Sequence, residues 1–183
     1  VRLSGKQHFC GLDQLHGFGS QLARDLHAEL WMKNGAPKGA ANWDKGTPAG
    51  KPWGGLAQAG PGITEEIIVD DQAEKQAINY LRDPARKQQP WCLNASFIAP
   101  HFPLIAPQRF WDLYPLDQID LPELPPGHLE NQHPVIQRMR RMFGLIDFPE
   151  ALVRRGRAGY YALITYLDEK IGRLLKVLEE TGQ

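Results

Sequence analysis

Cysteine is scarce in this chain, net charge is absent and long apolar runs are missing. Only Cys10 and Cys92 occur in 183 residues. One such pair gives neither a disulfide framework nor a metal-ligand spacing. Lys+Arg and Asp+Glu each total 21, so the formal net charge is zero. That excludes a general electrostatic attraction to nucleic acid or to an anionic membrane surface. No stretch approaches the roughly 20 apolar residues of a membrane-spanning helix. No internal repeat is evident, and nothing in the pattern marks an oligomeric state. The chain begins at Val1 and shows no signal peptide. The true N-terminus is therefore expected to be missing, and the compartment is not readable.

What is present is ordinary for a globular protein: 42% hydrophobic and 23% charged residues, with enough length for one packed core. Val1 to Ser4 reads as the end of a strand, and Gly5 opens a loop. Residues 18 to 32 read as partly helical. Residues 34 to 62 are rich in Gly, Pro and Ala and read as a long surface insertion carrying Trp43 and Trp53. Ile63 to Val69 reads as containing a short extended segment. Asp71-Gln72-Ala73-Glu74 has the form of a capping box, with Asp71 as N-cap of a helix ended by Asp83-Pro84. Trp91 to Ile98 reads as a strand with two mostly apolar or small faces, which suits a central strand. Short helices are predicted over about 108–113 and 135–142, with a Pro-rich loop over 115–134. A long helix is predicted over 157–180, its apolar stripe Tyr160, Leu163, Ile164, Leu167, Ile171, Leu174, Leu175 and Leu178. Glu169 and Arg173 form an i,i+4 pair on it. Gly172 in its interior predicts close contact with a neighbour. This alternation predicts an α/β fold, a mostly parallel sheet flanked by helices. Ligands of such sheets sit beyond the carboxyl ends of the strands, which selects the loops after Ser4 and after Ile98.

Two constellations there can carry chemistry. In Gly5-Lys6-Gln7-His8, an extended backbone points Lys6 and His8 the same way. An ammonium beside an imidazole suits an anion, although without further context a solvated loop is the favoured reading. In Ala99-Pro100-His101-Phe102-Pro103, a histidine between prolines has little backbone freedom. A preorganised site and a histidine packed on Phe102 or Phe110 stand level there. Asp168 reads as a helix-anchoring acid, and Arg154, Arg155 and Arg157 as a charged helix entry in which one could pair with an acid. His128 and His133 read as solvated. Trp31, Trp43 and Trp53 read more readily as loop anchors than as a cage for a quaternary ammonium.

Leu3-Ser4-Gly5-Lys6-Gln7-His8-Phe9 resembles the Gly-Lys-X-His segment of sulfatases, members of the alkaline-phosphatase superfamily. Asp13-Gln14-Leu15-His16-Gly17-Phe18 looks like the choline-sulfatase-like branch. Residues 91–107 resemble the family's strand followed by Pro-His-X-Pro. Residues 160–182 resemble the helix before its metal-binding segment. The resemblance implies a partial sulfatase-like fold and hydrolysis of a small sulfate ester. It implies that Lys6 contacts the sulfate and the nucleophile. His8 would hydrogen-bond the nucleophile's hydroxyl, and His101 would contact the sulfate or protonate the leaving oxygen. Asp13 and His16 would shape the pocket or the loop. Gln7 stands where the family usually has Trp or Met.

The family's nucleophile is a formylglycine made from Cys or Ser in a Cys/Ser-X-Pro-X-Arg segment. Neither Cys10 nor Cys92 lies in one. A divalent cation, calcium or magnesium, is likewise implied, and no residue here matches its ligands. The whole of 1–183 is therefore expected to be an internal fragment of a sulfatase catalytic domain, inactive by itself. Two rivals stand beside this: a phosphoesterase or phosphonate monoester hydrolase of the same superfamily, and a non-catalytic truncated or interaction protein. The sulfatase reading rests on the turns near positions 6 and 101 converging on one oxyanion-sized hollow.

Overall fold

In the computed structural model, residues 1–9, 12–26, 56–142 and 148–183 are described. The fold is α/β, with parallel strands and flanking helices. The chain divides into two compact units. The first holds Val1–Pro37, Ile63–His101 and Ile164–Gln183; the second holds Lys38–Gly62 and Phe102–Leu163.

The first unit is built on a three-stranded parallel sheet of order β2-β1-β4. Its strands are β1 (Arg2–Gly5), β2 (Ser20–Ala23) and β4 (Leu93–Ser96). Leu3, Ser4 and Gly5 of β1 are buried, so β1 is the central strand of the described sheet. Among the described residues β4 pairs with β1 alone, so residues 93–96 lie at the edge of this three-stranded sheet, where the sequence predicts a central strand. Within the segment 18–32, read as partly helical, residues 20–23 are a strand; pairing with β1 overrides the weak local signal. Residues 27–32, most of the 34–62 insertion and Trp31, Trp43 and Trp53 lie outside the described residues.

Helix α1 (Glu65–Arg82) packs on all three strands. It begins earlier than the sequence suggested, so residues 65–69 are helical and the extended backbone expected within 63–69 is confined to the stretch before the helix, at Thr64. The N-cap is Thr64, whose hydroxyl accepts the Ile67 N–H, and Glu65 and Glu66 favour the first turn. Asp71 and Glu74 lie mid-helix and serve tertiary contacts instead. Ile67, Asp70, Ala73, Glu74, Ala77 and Leu81 make its buried face, and the Ser4 hydroxyl donates to the Ala73 carbonyl at 2.8 Å. Asp83 ends the helix as expected and caps a short 3-10 turn, Pro84–Lys87.

In the second unit, β3 (Gly60–Pro61) and β5 (Ile105–Ala106) pair in parallel. A one-turn helix, α2 (Gln108–Trp111), packs near β3. Residues 115–134 are irregular apart from a 3-10 turn at Leu116–Gln118, and α3 runs over Pro134–Met142. Leu104, Ala106, Phe110, Ile119, Ala158, Ala162 and Leu163 are buried.

Helix α4 (Glu150–Thr181) starts before the predicted 157. Arg154, Arg155 and Arg157 therefore lie within it: Arg154 donates to the Ile119 carbonyl, and Arg157 pairs with Asp120 at 2.9 Å. The predicted stripe is only partly buried. Leu163 is inside, whereas Tyr160, Ile164, Ile171 and Leu175 are exposed, and Ala162, Tyr166, Lys170 and Val177 are buried instead. Among the described residues nothing lies within 4 Å of a would-be Cβ at Gly172, so the close contact expected there is not found among them. Gly159 makes that contact: its Cβ would lie 2.6 Å from the Leu104 carbonyl oxygen. Asp168 is exposed and anchors nothing among the described contacts. The anchoring is done by Lys170, fully buried and bonded to Asp71 and Glu74. Arg173 joins Glu74 and Glu169, the last being the expected i,i+4 pair. No described helix is long and apolar enough to cross a membrane.

Candidate functional site

Because β1, β2 and β4 run parallel, their carboxyl ends share one edge of the first unit's sheet. Gly5 and Ser96 are register partners there, and the Lys6 N–H donates to the Ser96 carbonyl at 3.3 Å. Gly5 has φ +94°, and a Cβ on it would lie 2.0 Å from the Ser96 oxygen. No side chain fits, and the left-handed conformation also favours glycine. The Gly of Gly-Lys-X-His thus lets the chain leave β1 flush against β4. Gln7 reaches back toward β4, its amide 3.5 Å from Asn94 Oδ1.

Lys6 is half-buried and His8 exposed. His8 has φ +58°, a left-handed conformation unusual for a residue with a Cβ. Asp25, just beyond β2, is buried and accepts the N–H groups of Gln7 and His8 at 2.7 and 2.6 Å. After β4, the N–H groups of Ile98 and Ala99 donate to Asp70 at 2.7 and 2.9 Å. The His101 N–H then closes a turn onto the Ile98 carbonyl at 2.9 Å, leaving His101 exposed. Burial pushes the Asp70 carboxyl above its ordinary value; the Ala99 and Ile98 amides and the Lys170 charge draw it back, and Asp71 adds to the rise. The segments of Lys6, His8 and His101 thus leave adjacent strands at the same sheet edge.

Asp13 and His16 lie in the loop between β1 and β2. Asp13 accepts the N–H groups of Leu15 and His16, and these bonds hold its carboxyl below the ordinary value. The His16 ring lies 4.3 Å from that of Phe9. This is a loop-shaping arrangement. His128 and His133 are exposed, as expected. Cys92 is a free, exposed thiol, and Cys10 lies outside the described residues.

Sequence reasoning missed Asp25 and Asp70. Asp70 had a signal: it falls on the helix face shared by Ile67, Ala73, Ala77 and Leu81, where a carboxylate needs buried donors. Asp25 had none, because its partners lie across a strand pairing. Among the described residues, no group of three or more His, Cys, Asp or Glu could hold a metal ion. The donor set for the cation implied by the resemblance is not found in them.

Comparisons with known proteins show the family of the chain. A family model described as Sulfatase matches residues 14–183. Choline-sulfatase of Rhizobium meliloti (strain 1021) is 36% identical over 98% of this chain and 36% of its own length. An arylsulfatase of Clostridium perfringens (strain 13 / Type A) is 31% identical over 73% of the chain and 26% of its own. A multifunctional alkaline phosphatase superfamily protein of Trinickia caryophylli is 30% identical over 66% and 26%. The chain thus spans about a third or less of the length of these relatives. With a glycine-enforced strand exit, two basic turns at one sheet edge and matches along nearly all its length, the chain belongs to the sulfatase family.

Proposed function

We propose that this chain is an internal portion of a sulfatase catalytic domain and supplies the basic wall of a site that hydrolyses a small sulfate ester. In this reading residues 34–62 are a surface insertion and 115–134 a Pro-rich loop. The nucleophile, a formylglycine, and the divalent cation with its ligands belong to the rest of the protein. The observation that carries the proposal is the shared edge: Lys6 bonds through its backbone to Ser96, and the turn bearing His101 leaves the same strand.

Lys6 contacts the anionic sulfuryl oxygens as a point charge. His8 orients the nucleophile's hydroxyl and relays its proton. His101 touches the sulfate or protonates the departing ester oxygen. The exposed, conformationally restricted His101 suits that task, since a proton donor must reach a leaving group that varies in size. A choline ester is the favoured substrate, because choline-sulfatase of Rhizobium meliloti matches nearly the whole chain. The likeness to the alkaline phosphatase superfamily protein supports one second reading, hydrolysis of a phosphate or phosphonate monoester, for which the same basic groups would serve.

The test assays the whole protein that carries this chain with choline sulfate, an aryl sulfate and the matching phosphate ester. Lys6→Ala should cost about 10²–10³-fold in kcat/KM, the scale of losing one oxyanion donor. His101→Ala should cost about 10²–10⁴-fold, the scale of a lost acid–base group. The chain of residues 1–183 alone should turn over none of them. Full activity in both variants would refute the assigned roles, and preference for the phosphate ester would select the second reading.

A further inference from the structure

Behind each of the two basic turns stands a buried carboxylate that accepts two consecutive backbone N–H groups. Asp25 and Asp70 are each 1% exposed. Asp25 accepts those of Gln7 and His8, both on Oδ2. Asp70 accepts another two, those of Ile98 and Ala99. A carboxylate taken out of water is tolerated only when its oxygens are well satisfied, and charge-assisted bonds of this kind are short and strong. Each pair fixes the direction of the backbone just before an imidazole that the proposed chemistry uses.

The first turn adds an independent sign. His8 sits at φ +58°, a conformation that a residue with a Cβ keeps only where its surroundings over-determine it. The bond from its own N–H to Asp25 supplies that constraint, from a strand end other than the one His8 follows. At the second turn, Asp70 reaches from the middle of α1 to the end of β4, and the His101 N–H returns to the Ile98 carbonyl within the segment so held.

We propose that Asp25 and Asp70 are positioning residues, the first acting through His8 and the second through His101. The proposal rests on the sulfatase reading above. Neither carboxylate touches the ester. Each sets the angle from which its histidine approaches, and a displacement of about 1 Å at a reacting group can cost about 10²-fold in rate.

The experiment uses the whole protein with Asp25→Ala and Asp70→Asn. At Asp70 each oxygen accepts one N–H, so Asn turns an amide N–H toward one donor and loses that bond. At Asp25 both N–H groups meet the same oxygen, Oδ2, which an Asn amide oxygen could replace, so Ala is used there to remove both bonds. The expected result is a fall in kcat/KM of about 10²-fold, carried by kcat with KM little changed, in variants with an unaltered circular dichroism spectrum. Glu74→Gln, which weakens the fold away from the turns, should stay within about 3-fold of the parent below its melting temperature. The decisive measurement is the double-mutant cycle. Asp25→Ala should add less than about 3-fold to His8→Ala, and Asp70→Asn less than about 3-fold to His101→Ala, because a residue acting through another has nothing left to position.

Full multiplication of the two losses would overturn the proposal, as would parental activity in both aspartate variants. If His8→Ala and His101→Ala are themselves active, the sulfatase roles fail, and positioning fails with them. If only the aspartate variants are active, positioning alone fails. Should an aspartate variant not fold, hydrogen exchange of the unmodified protein decides. The amides of Gln7, His8, Ile98 and Ala99 should be protected, and free exchange at them would overturn the proposal.

Discussion

The two halves of α4 meet their surroundings by different chemistry. In the second unit, small residues do the work: Ala158, Gly159 and Ala162 are buried, and Gly159 lies against the Leu104 backbone. In the first unit, charge does it. Lys170 is fully enclosed between Asp71 and Glu74, its ammonium 4.4 Å from the centre of the Tyr166 ring, with Arg173 closing on Glu74. Burial raises the Glu74 pKa, but Arg173 and Lys170 outweigh it, leaving the carboxyl below its ordinary value. Small residues fix how near two backbones come. A buried ion cluster fixes which residues face each other, since any other register strands a charge.

The sharpest way to break this contrast is Lys170→Met. Removing one partner from a buried ion cluster costs about 3–5 kcal/mol, read by urea unfolding, although Arg173 still partners Glu74 and favours the lower end. The same half should loosen in acid. Glu74 has a lowered folded pKa, so its contribution is present above its unfolded value, roughly 4.3, and is lost as pH falls through the folded one. Asp70, with a raised pKa, has the opposite sign and offsets part of that loss. Gly159→Ala tests the other half. Its methyl would meet backbone rather than a movable side-chain tip, and overpacking of this kind costs about 1–3 kcal/mol, with little dependence on pH. Smallest, and of opposite sign, is Gly172→Ala. Nothing lies within 4 Å of that position, so relief of the helix-interior glycine should stabilise by about 1 kcal/mol, seen as a higher unfolding midpoint.

The contrast also explains what the sequence made legible. Local periodicity located α1 and α4, each with a later start than the structure has, and the strand around 93–96. The turns that carry Lys6, His8 and His101 follow from their place after predicted strands, and the Gly-Lys-X-His and Pro-His-X-Pro patterns carry the family resemblance. Local reading failed where acids serve distant partners. Asp71 and Glu74 have the spacing of a helix start, yet their partners are Tyr166, Lys170 and Arg173, far along the chain. Lys170 would pass for a surface lysine, and its burial follows only once α1 lies against α4. Asp25 was invisible for the same reason, since its hydrogen bonds exist only after β2 has paired with β1. The apolar stripe of α4 was drawn too far round because leucine and isoleucine mark greasiness, whereas here alanine, tyrosine and a paired lysine turn inward.

Gly5 sets a gauge for this edge of the sheet. With only a hydrogen facing the Ser96 oxygen, the first basic turn leaves β1 directly beside the end of β4. Exchanges at neighbouring positions can lengthen a reach or change a charge, but the width of the gateway is written in main-chain atoms, and one methyl group at position 5 would pry it open.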